Sequence, residues 1–212
     1  GDDVAVILLA LPPVGDRSVK DIDEMVRYEL MMQLPVNIEQ MGYDYQIVER
    51  NYDGTRILTA AAKRSVLNRH LRLLSLADVY PDVVTTSCLT LFNTFVAKYP
   101  ESIKGGRIGL VCLRDSNGDV VICEDGALTY ARSFTFQMDG NKEQLAREIH
   151  NSFETYSKSR TPVAEHGART LVNMVYLMTE DGQLPAGLTE DDVSRIVPGA
   201  QWKIYPAGDD IA

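Results

Sequence analysis

The sequence predicts an α/β protein of two units: a small α/β unit, then a three-stranded β-meander with a β-α-β continuation. Three observations support this prediction. Helical and strand periodicities alternate along the first hundred residues. Proline and glycine interrupt the pattern near 99–106. Beyond this break, β-prone runs joined by short turns precede an amphipathic helix. We therefore place the units at residues 1–100 and 101–212.

The first unit is expected to open with a buried strand and a capped helix. Val4–Leu11 is an apolar run that Pro12-Pro13 ends. Ser18 and Asp21 have the spacing of a capping box. Apolar residues at helical spacing follow them, which predicts a helix that ends near Pro35.

A hairpin and a second helix are expected next. Tyr43–Glu49 and Thr55–Ala62 are β-prone, and Asp53-Gly54 between them favours a tight turn with positive φ. Lys63–Ala77 places Leu67, Leu71 and Leu74 on one helical face and its arginines on the other sides, which predicts an amphipathic helix. The unit is expected to close with a short strand and a helix, at Val83–Thr86 and Ser87–Lys98.

The second unit is expected to begin with an antiparallel meander. Its predicted strands are Arg107–Leu113, Asp119–Glu124 and Ala127–Phe136. The linking segments contain Asn117-Gly118 and Asp125-Gly126, dipeptides that favour tight turns. A helix should follow, because apolar residues recur at helical spacing from Leu145 to Tyr156. Asn141 and Gln144 resemble a capping box at its start.

The end of the chain is expected to add two strands and a short helix. Leu171–Met178 is apolar enough for a strand buried on both faces, as central parallel strands are. A loop over Gly182–Gly187 should lead to a helix that starts at Thr189 and Asp192, and Gln201–Tyr205 is expected to form the last strand.

Composition excludes several classes of protein. The 212 residues are 45% hydrophobic and 24% charged, as in soluble globular proteins. The net charge of -9 argues against a surface built mainly for nucleic acid or anionic lipid. The longest apolar run, Val4–Val14, is too short to span a membrane, so no direct membrane insertion is expected. Cys88, Cys112 and Cys123 lack metal-binding spacing, so we expect no metal site and a reducing, cytoplasmic compartment.

The predicted β-β-β-α-β order is the core of the ribonuclease-H-like and actin-like ATPase folds. Short motifs also resemble the PilM family of type IV pilus assembly, which is related to GspL and FtsA. The segment Ile22–Pro35 is similar to the family's helix that leads into a tyrosine-containing strand, here Tyr43–Gln46. The other motifs that resemble the family are Leu58–Lys63, Asp125-Gly126 with Arg132-Ser133, Leu145–Tyr156 and Val175–Leu177.

The resemblance implies a cytoplasmic scaffold or adaptor of type IV pilus assembly, peripheral to the inner membrane through a partner. That partner is the short N-terminal cytoplasmic peptide of a PilN-type inner-membrane protein. Residues 1–100 would correspond to the family's inserted partner-binding domain, and homo-oligomers remain open. The family's first phosphate-binding strand pair and its last helix have no counterpart here, so the chain is expected to be truncated relative to the family.

Two alternatives remain open at this stage. One is an ATP-binding, actin-like ATPase or kinase-type enzyme whose missing phosphate loop lies outside this chain. The other is the cytoplasmic domain of a GspL-like type II secretion protein. A glycine-rich Asp-x-Gly strand before residue 1 would favour the enzyme.

We expect no nucleotide site and no catalytic residue in this chain alone. The resemblance places Asp and Gly of the family's second phosphate loop at Cys112 and Arg114, which lack their chemistry. If nucleotide binding were retained, the candidate residues would be Asp115, Ser116, Asn117 and Gly118. ATP is therefore expected only in a longer protein.

The methionines of the first unit are the candidates for partner binding. They are Met25, Met31, Met32 and Met41. Flexible thioether side chains suit a surface that repacks around an apolar peptide, although core packing is their other common use. Because the first half of the chain also carries the strongest resemblance to the family, we expect the partner surface beside the Ile22–Leu34 helix and the Tyr43–Glu49 hairpin.

Overall fold

The computed structural model describes residues 3–137, 142–159, 172–185 and 188–206, and it divides into two compact units, 1–86 and 87–212. Each unit has its own sheet. The boundary therefore lies before Ser87 rather than near residue 100. The helix Ser87–Lys98, expected in the first unit, packs on the second sheet because its buried residues Cys88, Leu91 and Phe95 face that sheet.

The first unit is an antiparallel three-stranded sheet with two helices. Its elements are β1 (Val4–Leu11), α1 (Val19–Gln33), a 3-10 turn (Ile38–Gln40), β2 (Met41–Arg50), β3 (Thr55–Lys63) and α2 (Arg64–Leu76). The strand order is β1-β3-β2, so β3 is central. The buried stripe of α1, which is Ile22, Val26 and Leu30, packs with Leu9 and Ile57 of the sheet.

Helix α1 begins with the predicted capping box. The Asp21 backbone N–H donates to the Ser18 hydroxyl oxygen, and the Ser18 N–H donates to the Asp21 carboxylate, both at 3.2 Å. The capping box thus provides acceptors for two of the N–H groups that the start of a helix leaves without an intrahelical partner. The helix ends before Pro35, as expected, since a residue that precedes proline disfavours helical geometry.

The β2–β3 hairpin forms as predicted, but its turn has another basis. Asp53 and Gly54 have no positive φ. Instead, the Asn51 side-chain oxygen accepts hydrogen bonds from the N–H groups of Asp53 and Gly54, at 3.1 and 2.8 Å. An asparagine side chain can mimic a backbone turn in this way. Gly54 fits because a Cβ there would lie 3.0 Å from the Leu11 carbonyl oxygen.

The predicted strand Val83–Thr86 does not form. This segment has no strand assignment, and Val83 is 78% exposed. A strand needs a neighbour to pair its backbone groups, and none of the described strands runs beside it. The β-prone composition alone therefore misled the prediction.

The second unit has the predicted β-β-β-α-β order. Its elements are α3 (Ser87–Lys98), β4 (Arg107–Arg114), β5 (Asn117–Glu124), β6 (Ala127–Thr135), α4 (Lys142–Ser159), β7 (Met174–Thr179), α5 (Glu190–Ile196) and β8 (Gln201–Pro206). The sheet order is β6-β5-β4-β7-β8, with an antiparallel meander and with β7 and β8 parallel to β4. This confirms the ribonuclease-H-like arrangement. Three residues of the predicted elements lie outside the described residues: the capping residue Asn141, Leu171 at the start of a predicted strand, and Gly187 at the end of the predicted loop.

Two helices cover opposite faces of this sheet. Val175 and Leu177 of β7 belong to the cluster that α4 completes with Phe153. Tyr176, between them in sequence, places its ring 4.7 Å from that of Phe95 in α3. Since alternate strand residues point to opposite faces, α3 and α4 enclose the sheet between them.

Candidate functional site

The four candidate methionines do not form one surface. Met41 is 2% exposed and lies in the core of the first unit, and Met25 packs partly against the same core. Met31 and Met32 are 53% and 70% exposed. The structure therefore assigns Met41 to packing, which was the alternative use, and leaves three methionines on or near the surface of α1.

A groove runs beside α1 at the end of β1. It is open to solvent and has a volume of about 510 Å³. Its lining residues, which define the α1 groove, are Leu11, Pro12, Arg17, Asp21, Glu24, Met25, Tyr28 and Glu29. Of the candidate methionines, only Met25 lines it, and no sequence signal pointed to Tyr28 or to the carboxylates.

Helical spacing explains why Met25 and Tyr28 meet in this groove. Asp21, Met25, Tyr28 and Met32 follow one another at three- or four-residue steps, so they form one stripe along α1. This stripe flanks the buried one. Tyr28 is 61% exposed, so its ring offers a large apolar contact area to a ligand.

The α1 groove is acidic. Three carboxylates, Asp21, Glu24 and Glu29, line it with a single cation, Arg17. Asp21 is engaged in the capping box, and the Arg17 guanidinium donates to the Pro13 carbonyl oxygen at 2.7 Å. Glu24 and Glu29 form no ion pair with any described residue, so their charge is available to a basic ligand.

Strand β1 adds an unpaired edge to the groove. Among the described strands β1 has one neighbour, β3, along its full length from Val4 to Leu11. An edge strand offers backbone N–H and C=O groups to an extended peptide. Because Leu11 and Pro12 line the groove, such a peptide could continue from the edge of β1 toward Met25.

The other flank of α1 is fixed to β2. The Tyr43 hydroxyl donates to the Asp23 carboxylate at 3.1 Å, and Arg27 forms an ion pair with Glu39. Burial, with the Asp23 carboxylate beside it, raises the pKa of Tyr43. The phenol therefore keeps its proton, and this hydrogen bond, to a higher pH than an ordinary tyrosine does.

The nucleotide candidates form an ordinary hairpin. Asp115 and Ser116 make the β4–β5 turn, with Asp115 at φ 47°, while Asn117 and Gly118 already belong to β5. The expectation that Asn117-Gly118 is the turn dipeptide was therefore wrong. A Cβ on Gly118 would lie 2.2 Å from the Phe134 ring, so ring packing accounts for this glycine.

A second cavity lies at the carboxyl ends of β4, β7 and β8, where ligands of α/β sheets commonly bind. It encloses about 210 Å³. The lining includes Phe95, Tyr99 and Tyr205, with Lys98 and Arg114 as its charged groups. A magnesium nucleotide also needs oxygen ligands for the metal, and the described lining has no carboxylate.

A partly buried polar cluster joins the start of α3 to the meander. The Asp119 carboxylate accepts from the hydroxyls of Ser87 and Ser133, at 2.8 and 2.6 Å, and from the Cys88 thiol at 3.3 Å. Burial, together with Asp119, raises the pKa of Cys88 to about 12. Since the thiolate is the reactive form of cysteine, Cys88 has a structural role here.

Two further properties concern the described residues as a whole. Across 3–137, 142–159, 172–185 and 188–206, no three His, Cys, Asp or Glu side chains are placed to hold a metal ion. Within the same ranges, none of the helices combines the length and apolar character that crossing a bilayer requires.

Comparisons with known proteins identify the fold. The sequence matches no family model and no curated protein. A PilM–PilN type IV pilus biogenesis complex matches with a TM-score of 0.71 at 15% identity, over 94% of this chain and 65% of that chain. The cytoplasmic domain of EpsL, an inner-membrane component of the type II secretion system of Vibrio cholerae, matches with a TM-score of 0.58 at 13% identity, over 98% and 66%.

At these identities the likeness shows the fold alone. It confirms the predicted similarity to PilM-like and GspL-like proteins at the level of architecture. The chain spans just under two thirds of the length of each of these structures. Activity and partners therefore have to be argued from the residues of this chain.

Proposed function

We propose that this chain is a scaffold of a type IV pilus or related secretion machine, and that its α1 groove holds a short cytoplasmic segment of a PilN-type inner-membrane protein. The observation that supports this most directly is the combination of an acidic, partly apolar groove with an unpaired strand edge. The shared fold with PilM in a PilM–PilN complex agrees with it.

Charge supports the choice of ligand. Cytoplasmic segments next to membrane spans carry an excess of Lys and Arg. Glu24 and Glu29 would attract such a segment, while Met25 and Tyr28 would contact its apolar residues. An extended tail could also pair its backbone with β1, which gives affinity without a particular sequence.

The chemistry of the groove does not distinguish pilus assembly from type II secretion. A GspL-like role would use the same scaffold with a different membrane partner, and the fold of the EpsL cytoplasmic domain keeps that role open. Residence at the inner membrane through a partner is part of this proposal.

Binding of the tail is tested by fluorescence titration. The probe is a labelled synthetic peptide that copies the N-terminal cytoplasmic tail of a PilN-type inner-membrane protein. We expect Tyr28→Ser and Glu24→Lys each to weaken binding by about tenfold, the equivalent of roughly 1.4 kcal/mol, because each removes one contact of the groove.

Matched variants give the controls. Tyr52→Ser removes a tyrosine that is 89% exposed on the β2–β3 turn, and Glu180→Lys makes the same charge change on the second unit. Both should bind the peptide as the unmodified chain does. Equal weakening in groove and control variants would remove the α1 groove from consideration, and a full-length protein that binds no tail would count against the pilus role itself.

We also propose that this chain alone binds no ATP. Cys112 and Arg114 stand where the family resemblance expects Asp and Gly, and the described lining of the adjacent cavity lacks a metal-binding carboxylate. Titration calorimetry with Mg-ATP should show no saturable heat. Micromolar binding that Arg114→Ala abolishes would instead favour the enzyme alternative.

A further inference from the structure

Helix α2 carries apolar side chains that nothing in its own unit covers. The helix has no buried residue. Val66 and Leu67 in its first half are half-buried, and Leu67 lies against Gly42 of β2. Beyond them, Leu73 and Leu76 are 59% and 77% exposed. Helices of globular proteins normally bury one apolar stripe, so this exposure calls for a ligand or partner.

The exposed apolar area continues past the end of the helix. Val79 N–H donates to the Leu74 carbonyl at 3.0 Å and Asp78 N–H to that of Ser75 at 3.2 Å, with Asp78 at φ 55°. This is a Schellman cap, which gives the segment a defined conformation. We call the exposed apolar residues of this region the α2 surface: Leu71, Leu73, Leu74, Leu76, Val79, Tyr80, Val83 and Val84.

The charge of α2 is opposite to that of the chain. From Arg64 to Leu76 the helix contains three arginines and no acidic residue, whereas the whole chain carries -9. Arg64, Arg69 and Arg72 form no ion pair with described residues. Lys63, with a smaller effect of Arg69, lowers the pKa of Asp3. All three arginines are exposed and lie on the same helix as the apolar side chains.

The arrangement of the leucines indicates the kind of partner. Leu71 and Leu74 lie on one side of α2, while Leu73 and Leu76 project from other sides, because successive residues are about 100° apart. A partner helix or groove would cover one stripe. Arg69 lies four residues before Leu73, and Arg72 four residues before Leu76, so each of these cations neighbours an exposed leucine on the helix surface. Apolar side chains with cations beside them suit a fluid surface that can surround them, as the headgroup region of a bilayer does.

We infer that the α2 surface binds anionic lipid bilayers. The leucines, Tyr80 and the valines enter the headgroup boundary, and Arg64, Arg69 and Arg72 contact lipid phosphates. At physiological ionic strength the screening length is about 8 Å, so the acidic remainder of the chain does not cancel this local attraction. Asp78 and Asp82 follow the helix and oppose it.

Vesicle flotation of the whole chain tests this inference. The probes are vesicles of phosphatidylcholine alone and of phosphatidylcholine mixed with phosphatidylglycerol, at physiological ionic strength. We expect binding to the anionic vesicles only. Arg69→Glu with Arg72→Glu should reduce it by at least tenfold, since each cation near an anionic surface contributes on the order of a fewfold in affinity. Leu73→Ser with Leu76→Ser should reduce it similarly.

Matched variants make the result specific. Arg50→Glu with Arg195→Glu changes the net charge equally at exposed positions outside α2 and should float like the unmodified chain. Asp82→Asn should bind more strongly. Circular dichroism verifies that each variant is folded, which is expected because the changed side chains are exposed.

Three outcomes would overturn the inference. The first is equal flotation with neutral and anionic vesicles, and the second is an equal loss in the α2 and control charge variants. The third is no flotation together with concentration-dependent self-association that Leu73→Ser with Leu76→Ser abolishes, since the α2 surface would then bind a second copy of the chain.

Discussion

Gly118→Val is expected to destabilise the second unit by about 3 kcal/mol, the upper part of the usual range for overpacking a buried site. The reason is steric, because even a Cβ at this position would lie 2.2 Å from the Phe134 ring. Phe134 is 3% exposed, so its ring has little room to move. Urea denaturation followed by circular dichroism measures the change in the free energy of unfolding.

The same hairpin provides the control and a rescue. Asn117→Ala, at an exposed neighbouring position, should change the free energy of unfolding by no more than about 0.5 kcal/mol. Phe134→Leu should cost less in the Gly118→Val background than in the unmodified chain, because both changes act on one contact. An unchanged free energy of unfolding for Gly118→Val would contradict the steric role assigned to this glycine.

The thiols of Cys88 and Cys123 are expected to react about a thousandfold more slowly in the folded chain than in the unfolded one at pH 8. Burial raises the pKa of both to about 12 from an ordinary value of 9.0, so the reactive thiolate is rarer by that factor. Titration with a thiol-specific chromogenic disulfide measures the rates. Ser116→Cys, on the exposed β4–β5 turn, supplies a fast-reacting reference; equally fast Cys88 and Cys123 would contradict their burial.

The raised pKa values of Cys88 and Cys123 also predict how the stability of the chain depends on pH. In the folded chain the pKa values of both thiols lie above the unfolded value. Their contribution to the free energy of unfolding is therefore complete below pH 9 and is lost as pH rises toward 12. Each should lower the unfolding free energy by up to about 1.4 kcal/mol per pH unit in that window. Cys123→Val should flatten the pH dependence by one such contribution, and an unchanged slope would speak against the raised pKa.

The sequence predicted nearly every element because most of the signals are local. Capping residues, periodic apolar positions and turn dipeptides located both helices and strands, and the order of elements in the second unit specified its sheet. The failures came from long-range contacts. Gly118 is determined by Phe134 across the sheet, and Val83–Thr86 lacks a strand beside it. Neither fact is visible in a window of neighbouring residues.

The binding surfaces were less predictable for the same reason. Methionine content selected Met41, which tertiary packing buries, and it missed Tyr28 and Glu24. These two residues lie near Met25 on α1, but the groove is completed by Leu11 and Pro12 at the end of β1, which α1 meets only in the folded chain. Net charge was similarly misleading, since -9 for the whole chain conceals a helix with three arginines and no carboxylate. Both the α1 groove and the α2 surface are defined by which residues lie together in the folded chain, and composition does not show this.

The separation of the two sheets has an evolutionary consequence. Strands β1 to β3 pair only with one another among the described strands, and they lie on one uninterrupted stretch of sequence, as do β4 to β8. A contiguous segment that completes its own sheet can be gained, lost or exchanged by a single recombination event without breaking a ladder of hydrogen bonds elsewhere. It can also fold during synthesis before the rest of the chain leaves the ribosome. The two units can therefore diversify at different rates.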